Sequence, residues 1–326
     1  MRAWQVHELG EPRDVLRLAD VPDPVPGPGQ VLVRVLGAAA NFPDVLMCRG
    51  GYQVRPPLPF TPGIELCGEV VAAGPGVTGV AIGDRVIGGS ALPHGAFAEL
   101  ALMSAVLPAP DALEDDEAAA FFITYQTGWF GLHRRARLVA GETLLVHAAA
   151  GGVGSGAVQL GKAAGARVIG VVGGPAKAQA ARALGADVVI DRLSEDFVEV
   201  VKEVTDGRGA DVIYDPVGGE TYARSTKCVA FEGRILIIGF ASGQIPSAAL
   251  NHALIKNYSI VGLHWGLYQT KEPQAIKDCH AQLQKLAADG LIRPLVGARL
   301  GLDDVAAGVQ RLADGEVVGR IVFMPS

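Results

Sequence analysis

The fold is decided by the stretch Leu144-Leu-Val-His-Ala-Ala-Ala-Gly151-Gly152-Val153-Gly154-Ser-Gly-Ala-Val-Gln-Leu-Gly-Lys162. It begins as an apolar run, passes through a glycine turn and continues at helical length. A strand, a tight turn and a helix in this order place backbone N–H groups at a helix N-terminus, where a pyrophosphate can bind. The spacing departs from G-x-G-x-x-G because Ala148 occupies the outer position. The stretch predicts a dinucleotide site, and a purely structural glycine turn is the alternative.

Apolar runs alternate with helix-length segments around and after this stretch. The six runs are Thr143-Leu-Leu-Val-His, Arg167-Val-Ile-Gly-Val-Val, Asp187-Val-Val-Ile, Asp211-Val-Ile-Tyr, Arg234-Ile-Leu-Ile-Ile-Gly and Ser259-Ile-Val-Gly. Runs that are apolar on both faces and separated by helices are typical of a parallel sheet buried on both sides. We predict a doubly wound α/β domain with a six-stranded parallel sheet over residues 124–266. Its glycine loop would bind the cofactor through Ala149, Gly151, Gly152 and Val153.

The end of the second run predicts which dinucleotide binds. An NAD site usually has Asp or Glu here, about 20 residues after the glycine loop, to bind the adenosine ribose. This chain has Gly173-Gly174-Pro-Ala-Lys177 instead, so no carboxylate repels a 2′-phosphate. Lys177, with Arg192 after the third run, can supply cations to that phosphate. We therefore expect NADPH, bound in part by Gly173, Gly174, Lys177 and Arg192; the alternative is that both cations are solvated surface charges.

The rest of the chain has a different pattern. Residues 1–123 contain short apolar runs broken by Pro and Gly, which favours a compact β-region. These runs include Val31-Leu-Val-Arg-Val-Leu, Gly68-Glu-Val-Val-Ala-Ala, Asp84-Arg-Val-Ile-Gly and Ala96-Phe-Ala-Glu-Leu-Ala. Residues 267–326 hold two helical stretches and a final strand, too few elements for a domain of their own. We expect this tail to complete the N-terminal β-region, so that the cofactor domain is an insertion.

Composition restricts the class of protein. A net charge of -6 gives no general attraction for nucleic acid or anionic lipid, so we expect neither as a partner. The N-terminus has no signal-peptide core, and no apolar run approaches the roughly 18 residues that a membrane span needs. We expect a cytoplasmic protein. Its four cysteines are widely spaced and have no histidine at a metal-ligand interval, which favours buried, reduced thiols.

Several N-terminal tracts resemble the medium-chain dehydrogenase/reductases in order and spacing. These are Asn41-Phe-Pro-Asp44, Arg49-Gly-Gly-Tyr52, Pro59-Phe-Thr-Pro-Gly63-Ile64-Glu65 and Gly83-Asp84-Arg85-Val86. Together with the glycine loop, the resemblance covers nearly the whole chain. The tracts Arg49-Gly-Gly-Tyr, Ala149-Ala-Gly-Gly-Val-Gly and Asp215-Pro-Val-Gly-Gly look most like zinc-independent quinone oxidoreductases of the ζ-crystallin type. The resemblance implies a GroES-like, mostly-β catalytic domain with an inserted Rossmann domain, and a homodimer.

The positions of the superfamily's zinc ligands are changed in this sequence. Zinc alcohol dehydrogenases carry a cysteine where this chain has Asn41, and a histidine where it has Ile64. The third ligand region, residues 118–132, contains no cysteine. Because an amide and an isoleucine cannot replace thiolate and imidazole, we expect no metal. Phe42, Tyr52 and Ile64 would then line an apolar slot for a flat substrate, or simply pack in the core.

The resemblance also implies roles for single residues. Asn41 and Tyr52 would face the nicotinamide: Asn41 would donate from its amide to cofactor or substrate, and Tyr52 from its hydroxyl to a developing enolate or phenolate. The alternatives are that Asn41 braces a loop and that Tyr52 only packs. Val217, Phe240 and Arg320 would contact the cofactor, although a surface salt bridge is equally compatible with Arg320.

These expectations lead to a function and two alternatives. We expect NADPH-dependent reduction of a quinone or another α,β-unsaturated carbonyl compound by direct hydride transfer without a metal. An enoyl-thioester reductase acting on enoyl-CoA or an acyl carrier protein is the first alternative, and higher activity with crotonyl-CoA than with simple quinones would select it. The second is a non-catalytic, NADPH-binding or RNA-associated crystallin-like protein, which salt-dependent RNA binding would reveal.

Overall fold

The computed structural model describes residues 1–325 and contains two compact units. The first unit comprises Met1–Ile123 and the chain from Arg293 onward, and the second is Thr124–Ile292. The chain therefore leaves the first unit once and returns to it once. Among the described residues, no helix is both long and apolar enough to cross a membrane.

Strands are numbered along the chain. They are β1 (Arg2–Val6), β2 (Leu16–Asp20), β3 (Val31–Ala39), β4 (Glu65–Ala73), β5 (Arg85–Ser90), β6 (Leu100–Pro108), β7 (Thr143–His147), β8 (Arg167–Val172), β9 (Val188–Asp191), β10 (Ala210–Asp215), β11 (Val229–Ile237), β12 (Ser259–Gly262), β13 (Val296–Gly301) and β14 (Arg320–Met324).

Helices are numbered in the same way. They are α1 (Pro12–Val15), α2 (Phe42–Cys48), α3 (Asp115–Ala119), α4 (Phe122–Trp129), α5 (Gly152–Ala163), α6 (Pro175–Ala183), α7 (Phe197–Val204), α8 (Gly219–Ser225), α9 (Leu250–Lys256), α10 (Tyr268–Lys271), α11 (Pro273–Ala288) and α12 (Val305–Ala313). A π-helix, Phe130–Arg135, and two 3-10 turns, Trp265–Leu267 and Leu302–Asp304, complete the helical segments of the described residues.

The second unit contains the predicted six-stranded sheet. Its strand order is β12-β11-β10-β7-β8-β9, and every neighbouring pair is parallel. Numbered within the unit this is 6-5-4-1-2-3, the doubly wound order that brings the carboxyl ends of the strands to one ligand-binding edge. All five residues of β7 are buried, as expected for a central strand covered on both faces. The predicted fold class is confirmed.

The second boundary between the units differs from the expectation. Residues 267–292, which we assigned to the β-region, belong to the second unit. The apolar side of α11, with Ile276 and Leu283 buried, packs inside that unit. Gln126 donates from its side chain to the carbonyl of Ile276 at 3.0 Å, and the rings of Phe130 and Tyr268 lie 4.4 Å apart. The sequence pattern showed the amphipathic helix but not its packing partner.

The first unit is built on antiparallel strands. β3, β4, β5 and β6 pair in sequence, and β6 also pairs with β3, so the four strands close on themselves. Closure leaves no unpaired edge within this group. β6 begins at Leu100, four residues later than the apolar run at Ala96 suggested. This unit is the GroES-like fold expected from the resemblance.

The end of the chain completes the first unit. β14 pairs with β13 on one side and with β3 on the other, so the last strand lies inside the sheet. The ring of Phe323 packs edge-to-face on Phe97, with centroids 5.1 Å apart. Both rings are fully buried in the main core of the unit.

Candidate active site

The glycine loop forms the N-terminus of α5 in the second unit. Gly151 is the N-cap residue, and the N–H of Ser155 donates to the Gly151 carbonyl at 2.9 Å. The N–H groups of Gly152, Val153 and Gly154 come before this bond and have no acceptor within the helix. Backbone donors and the positive end of the helix dipole therefore coincide, which is a cradle suited to a pyrophosphate.

Close packing explains the glycines of this loop. A Cβ atom on Gly154 would overlap the carbonyl oxygen of Ala148. A Cβ atom on Gly170, which lies in β8, would be 2.9 Å from the Cβ of Ala149 in the loop. Ala148 itself has φ 51°, which is uncommon for a residue with a side chain. Gly151 closes the turn by donating to the Ala148 carbonyl at 2.8 Å. The loop is thus fixed by the strand that precedes it.

Two cations, Lys177 and Arg192, lie beside the turn that follows β8. The guanidinium of Arg192 covers Gly173, because a Cβ on Gly173 would lie 3.2 Å from its Nη2. Lys177 is half-buried on the first turn of α6, where burial and the positive charge of Arg192 lower its pKa. Like charges repel one another, and an anion bound by both relieves the repulsion. The structure thus brings together the two cations predicted to bind a 2′-phosphate.

Asp191 organises this turn and was missed by the sequence reasoning. Its Oδ1 accepts the N–H of Gly174 at 2.9 Å and the N–H of Leu193 at 3.1 Å. These two bonds lower the pKa of the Asp191 carboxyl. Asp191 thus connects the turn after β8 to the segment that carries Arg192. An acidic residue at the end of a strand, followed by a basic one, was a signal that could have found it.

Val217 and Phe240 follow neighbouring strands, β10 and β11, and lie in adjoining turns. Asp215 is buried, and its Oδ1 accepts the N–H groups of Val217 at 2.8 Å and Gly218 at 2.9 Å. The N–H of Ser242 donates to the Val217 carbonyl at 3.0 Å, and the Phe240 ring covers Gly218. Both residues therefore stand at the carboxyl edge of the sheet, where ligands of this fold bind.

His147, at the end of β7, is a structural residue. It is buried, its Nε2 lies 2.8 Å from the Ser225 Oγ, and its ring packs on Phe197. Burial, assisted by the charge of Arg224, lowers the pKa of His147 to about 3. A ring that is neutral across the physiological range does not serve as an acid.

The first unit contains a buried ion pair between Glu65 and Arg320. Arg320 Nη2 donates to Glu65 Oε2 at 2.6 Å, and the two side chains are 4% and 0% exposed. The other carboxylate oxygen accepts the N–H of Ile123 at 2.6 Å. The alternative that Arg320 forms a surface salt bridge is wrong, because β14 carries it into the interior. Contact between Arg320 and a cofactor phosphate stays a prediction.

Asn41 belongs to the same cluster. Its Nδ2 donates to Glu65 Oε2 at 2.9 Å and to the Ala39 carbonyl at 3.1 Å. An amide NH₂ has two hydrogens, so both are already used within the protein. Asn41 therefore braces Glu65 in this structure, and donation from its amide to cofactor or substrate stays a prediction. Its Oδ1 accepts the N–H of Asp44 in a capping box at the start of α2.

Phe42, Tyr52 and Ile64 are half-buried. Tyr52 and Ile64 pack against the main core of the unit. Burial and the neighbouring Asp44 carboxyl raise the pKa of the Tyr52 hydroxyl, so it stays protonated at neutral pH and can donate. A partly exposed phenol beside apolar side chains fits a pocket wall, the role predicted for it.

The donor set at the superfamily's metal position does not fit zinc. The Asn41 amide is engaged with Ala39 and Glu65, and Ile64 has no lone pair to offer. Glu65 is already neutralised by Arg320. Zn²⁺ takes thiolate, imidazole or carboxylate ligands.

Comparison with known proteins agrees with this architecture. Residues 27–111 match the family model of the alcohol dehydrogenase GroES-like domain, and residues 152–281 match that of the zinc-binding dehydrogenases. A quinone oxidoreductase-like protein 2 homolog of Nematostella vectensis is 38% identical, covering 99% of this chain and 88% of that protein. The Escherichia coli quinone oxidoreductase, solved in complex with NADPH, is 32% identical with a TM-score of 0.92 and full coverage of both chains.

One further relative is much longer. A phthioceranic/hydroxyphthioceranic acid synthase of Mycobacterium bovis is 33% identical over 91% of this chain, which corresponds to 14% of that protein. Two joined units, one GroES-like and one Rossmann, define a medium-chain dehydrogenase/reductase. Within that superfamily, the chain belongs to the quinone oxidoreductase family.

Proposed function

We propose that this oxidoreductase uses NADPH to reduce quinones or other α,β-unsaturated carbonyl compounds, without a metal. The observation that carries the proposal is the pair of cations, Lys177 and Arg192, at the end of β8 where a carboxylate would select NAD. Bound NADPH supplies a hydride. Electron-poor conjugated carbonyls accept hydride without a Lewis acid, which agrees with the poor fit of zinc to this donor set.

The cofactor would be held by the second unit. The N–H groups of Gly152 and Val153 would bind the pyrophosphate, and Ala149 and Gly151 would shape the loop around it. Lys177 and Arg192 would bind the 2′-phosphate, with Gly173 allowing its close approach. The remaining cofactor contacts that we propose come from Gly174, Val217, Phe240, Asn41 and Arg320.

The first unit would provide the substrate pocket. Phe42 and Ile64 offer apolar surface to a flat ring, and Tyr52 would hold a proton at its hydroxyl for the oxygen that becomes negative. Asn41 would act indirectly by fixing Glu65. The protein's contribution is then alignment and one well-placed donor.

A substrate panel tests the proposal. The purified protein is assayed with quinones, enones and crotonyl-CoA, using NADPH and NADH, with and without a zinc chelator. We expect turnover of quinones or enones with NADPH, at least tenfold lower efficiency with NADH, and no chelator effect. Loss of activity with chelator, or a preference for NADH, would refute the proposal.

Tyr52→Phe tests the proton donor. Removing the hydroxyl should lower kcat for enones by about tenfold or more and leave the Kd of NADPH unchanged. Tyr268→Phe, in the second unit, is the control, because its ring packs on Phe130 and Arg134. Unchanged kcat and KM in Tyr52→Phe would remove Tyr52 from the mechanism.

Reduction of enoyl thioesters is the second candidate. The similarity to a segment of the mycobacterial acid synthase favours it, since that segment spans almost the whole of this chain. The same hydride donor and the same tyrosine would serve both reactions. Crotonyl-CoA turning over more efficiently than every simple quinone would select this alternative.

We also propose a homodimer formed through β12. This strand stands at the end of the sheet, and an edge strand presents unpaired N–H and C=O groups. The neighbouring helix α9 has no buried residue, and Leu250 and Leu254 are 73% and 77% exposed. A second copy would cover this apolar surface. Light scattering should give twice the chain mass for the native protein and the monomer mass for Leu254→Glu; a monomeric native protein would refute the dimer.

A further inference from the structure

Asp44 is a fully buried carboxyl group that the proposed chemistry does not use. Its side chain is 0% exposed, and it lies on the first turn of α2. Oδ2 accepts the N–H of Asn41 at 2.8 Å, and Oδ1 accepts the N–H of Gly63 at 2.9 Å. The backbone N–H of Ile64 also donates to this carboxyl. Its two oxygens therefore join two separate turns of the chain.

The two turns carry the walls of the proposed pocket. The first contains Asn41 and Phe42, and the second contains Gly63 and Ile64. Gly63 has φ 97°, and a Cβ there would lie 2.6 Å from the backbone N of Phe97. The second turn is thus packed tightly against the core, and Asp44 connects the first turn to it. A residue that capped only its own helix would need the bond to Asn41 alone.

We propose that Asp44 is a positioning residue, whose carboxylate ties the Asn41–Phe42 turn to the Gly63–Ile64 turn and fixes the width of the substrate pocket. The statement about the pocket rests on the proposed function, whereas the tie between the turns does not. Both carboxyl oxygens accept an N–H bond, whereas an asparagine at this position would keep only one acceptor oxygen.

The tie should depend on pH. Since burial disfavours the charged form of Asp44, ionisation should make it easier for the two turns to separate and expose the carboxylate to water. Burial raises the pKa of Asp44 to about 7, against the opposing effect of the backbone donors and of Arg320. The other ionisable groups that interact with it are Cys48 on the same helix and Tyr52. Burial raises the pKa of Cys48 to about 12, and the pKa of Tyr52 is also raised. Arg320 is paired with Glu65, and Asp44 is the group here whose pKa is placed near neutrality.

Amide hydrogen exchange of the full chain tests the tie directly. Asp44→Asn should raise exchange about tenfold or more in both peptides, one covering residues 39–45 and one covering residues 60–66, because an amide NH₂ cannot accept from all the donors. Asp84→Asn is the matched control. Asp84 also accepts an N–H three residues earlier, from Ala81 at 2.7 Å, but it is exposed. Asp84→Asn should leave the hydrogen exchange of both peptides unchanged.

The wild-type protein provides a second measurement that needs no variant. After correction for intrinsic rates, protection of both peptides should fall together as the pH rises from 6 to 8, through the pKa of about 7. A change confined to residues 39–45, or protection independent of pH, would overturn the proposal, since Asp44 would then only cap α2.

Turnover distinguishes this inference from the proposed function. With a quinone or enone, Asp44→Asn should lower kcat/KM about tenfold without changing the Kd of NADPH, and should remove the change of kcat/KM that accompanies ionisation of Asp44 near pH 7. If the wild type reduces none of these substrates, the proposed function fails, and the exchange results still decide whether Asp44 ties the turns.

Discussion

The two units build their candidate sites by different means. In the second unit, the groups proposed to bind the pyrophosphate are backbone N–H groups at one helix N-terminus, within a short stretch after β7. In the first unit, polar side chains meet from distant positions, with Asn41 and Glu65 separated by 24 residues and Glu65 and Arg320 by 255. The site in the second unit depends on the local shape of the backbone, and the site in the first unit depends on buried charged side chains. The two sites should therefore fail differently when mutated.

The glycine loop should be the most sensitive point for cofactor binding. In Gly154→Val, the side chain would overlap the Ala148 carbonyl, so the turn cannot close around a pyrophosphate. We expect NADPH affinity to fall by at least a hundredfold, which fluorescence titration would measure. Gly262→Ala is the control, because no atom lies within 4 Å of a Cβ there. Near-native affinity in a folded Gly154→Val would contradict the loop's role.

The buried ion pair should control stability instead. Arg320→Ala leaves Glu65 charged and unpaired in the interior, which should reduce the free energy of unfolding by about 3–5 kcal/mol. Arg34→Ala removes a pair with Glu69 whose side chains are 57% and 37% exposed, and should cost only about 0.2–1 kcal/mol. Urea unfolding at pH 7 measures both. Equal losses of unfolding free energy in the two variants would mean that the buried Glu65–Arg320 pair contributes no more to stability than an exposed pair.

Cofactor preference should respond more modestly. Lys177→Ala should weaken NADPH binding by about tenfold and leave NADH binding unchanged, because only the 2′-phosphate loses a charged partner. Arg182→Ala removes an exposed cation from the other end of α6 and serves as the control. If Lys177→Ala weakened both cofactors equally, Lys177 would act on the fold of the turn and not on the phosphate.

Thiol reagents should have the smallest effect. The cysteines are buried, and burial raises the pKa of Cys48, Cys67 and Cys228 to about 12 and that of Cys279 as well. Thiolates are the reactive form, so the native protein should resist alkylation at pH 7.5 and retain its activity. Mass spectrometry after iodoacetamide treatment tests this, with urea-unfolded protein as the positive control. Rapid labelling of a native cysteine would contradict its burial.

The same contrast explains which features the sequence predicted. The Rossmann sheet was predicted because central parallel strands are apolar on both faces, and β7, β8 and β12 have the bounds of their apolar runs. The glycine loop was visible because its ligand groups are adjacent in sequence. The assignment of residues 267–292 to the second unit was not predicted. An amphipathic sequence shows which face of a helix is buried, but it does not show which element covers that face.

The polar cluster of the first unit was the hardest feature to predict. Asn41 and Arg320 were identified as candidates, but nothing local indicates that both bind Glu65. Asp191 and Asp44 act through bonds to backbone N–H groups of other segments. Side-chain contacts of this kind follow from tertiary structure, and residue type alone does not specify them.

The position of β14 has a consequence for biosynthesis. Residues 124–292 form a continuous segment, so the whole sequence of the second unit is made before β13 and β14. The sheet of the first unit is incomplete until β14 is made, because β14 pairs with β13 on one side and β3 on the other. The first residue of β14, Arg320, also forms the ion pair with Glu65. A nascent chain that stops short of residue 320 therefore carries a buried carboxylate without its counter-ion, and the first unit can mature only after β14 has been made.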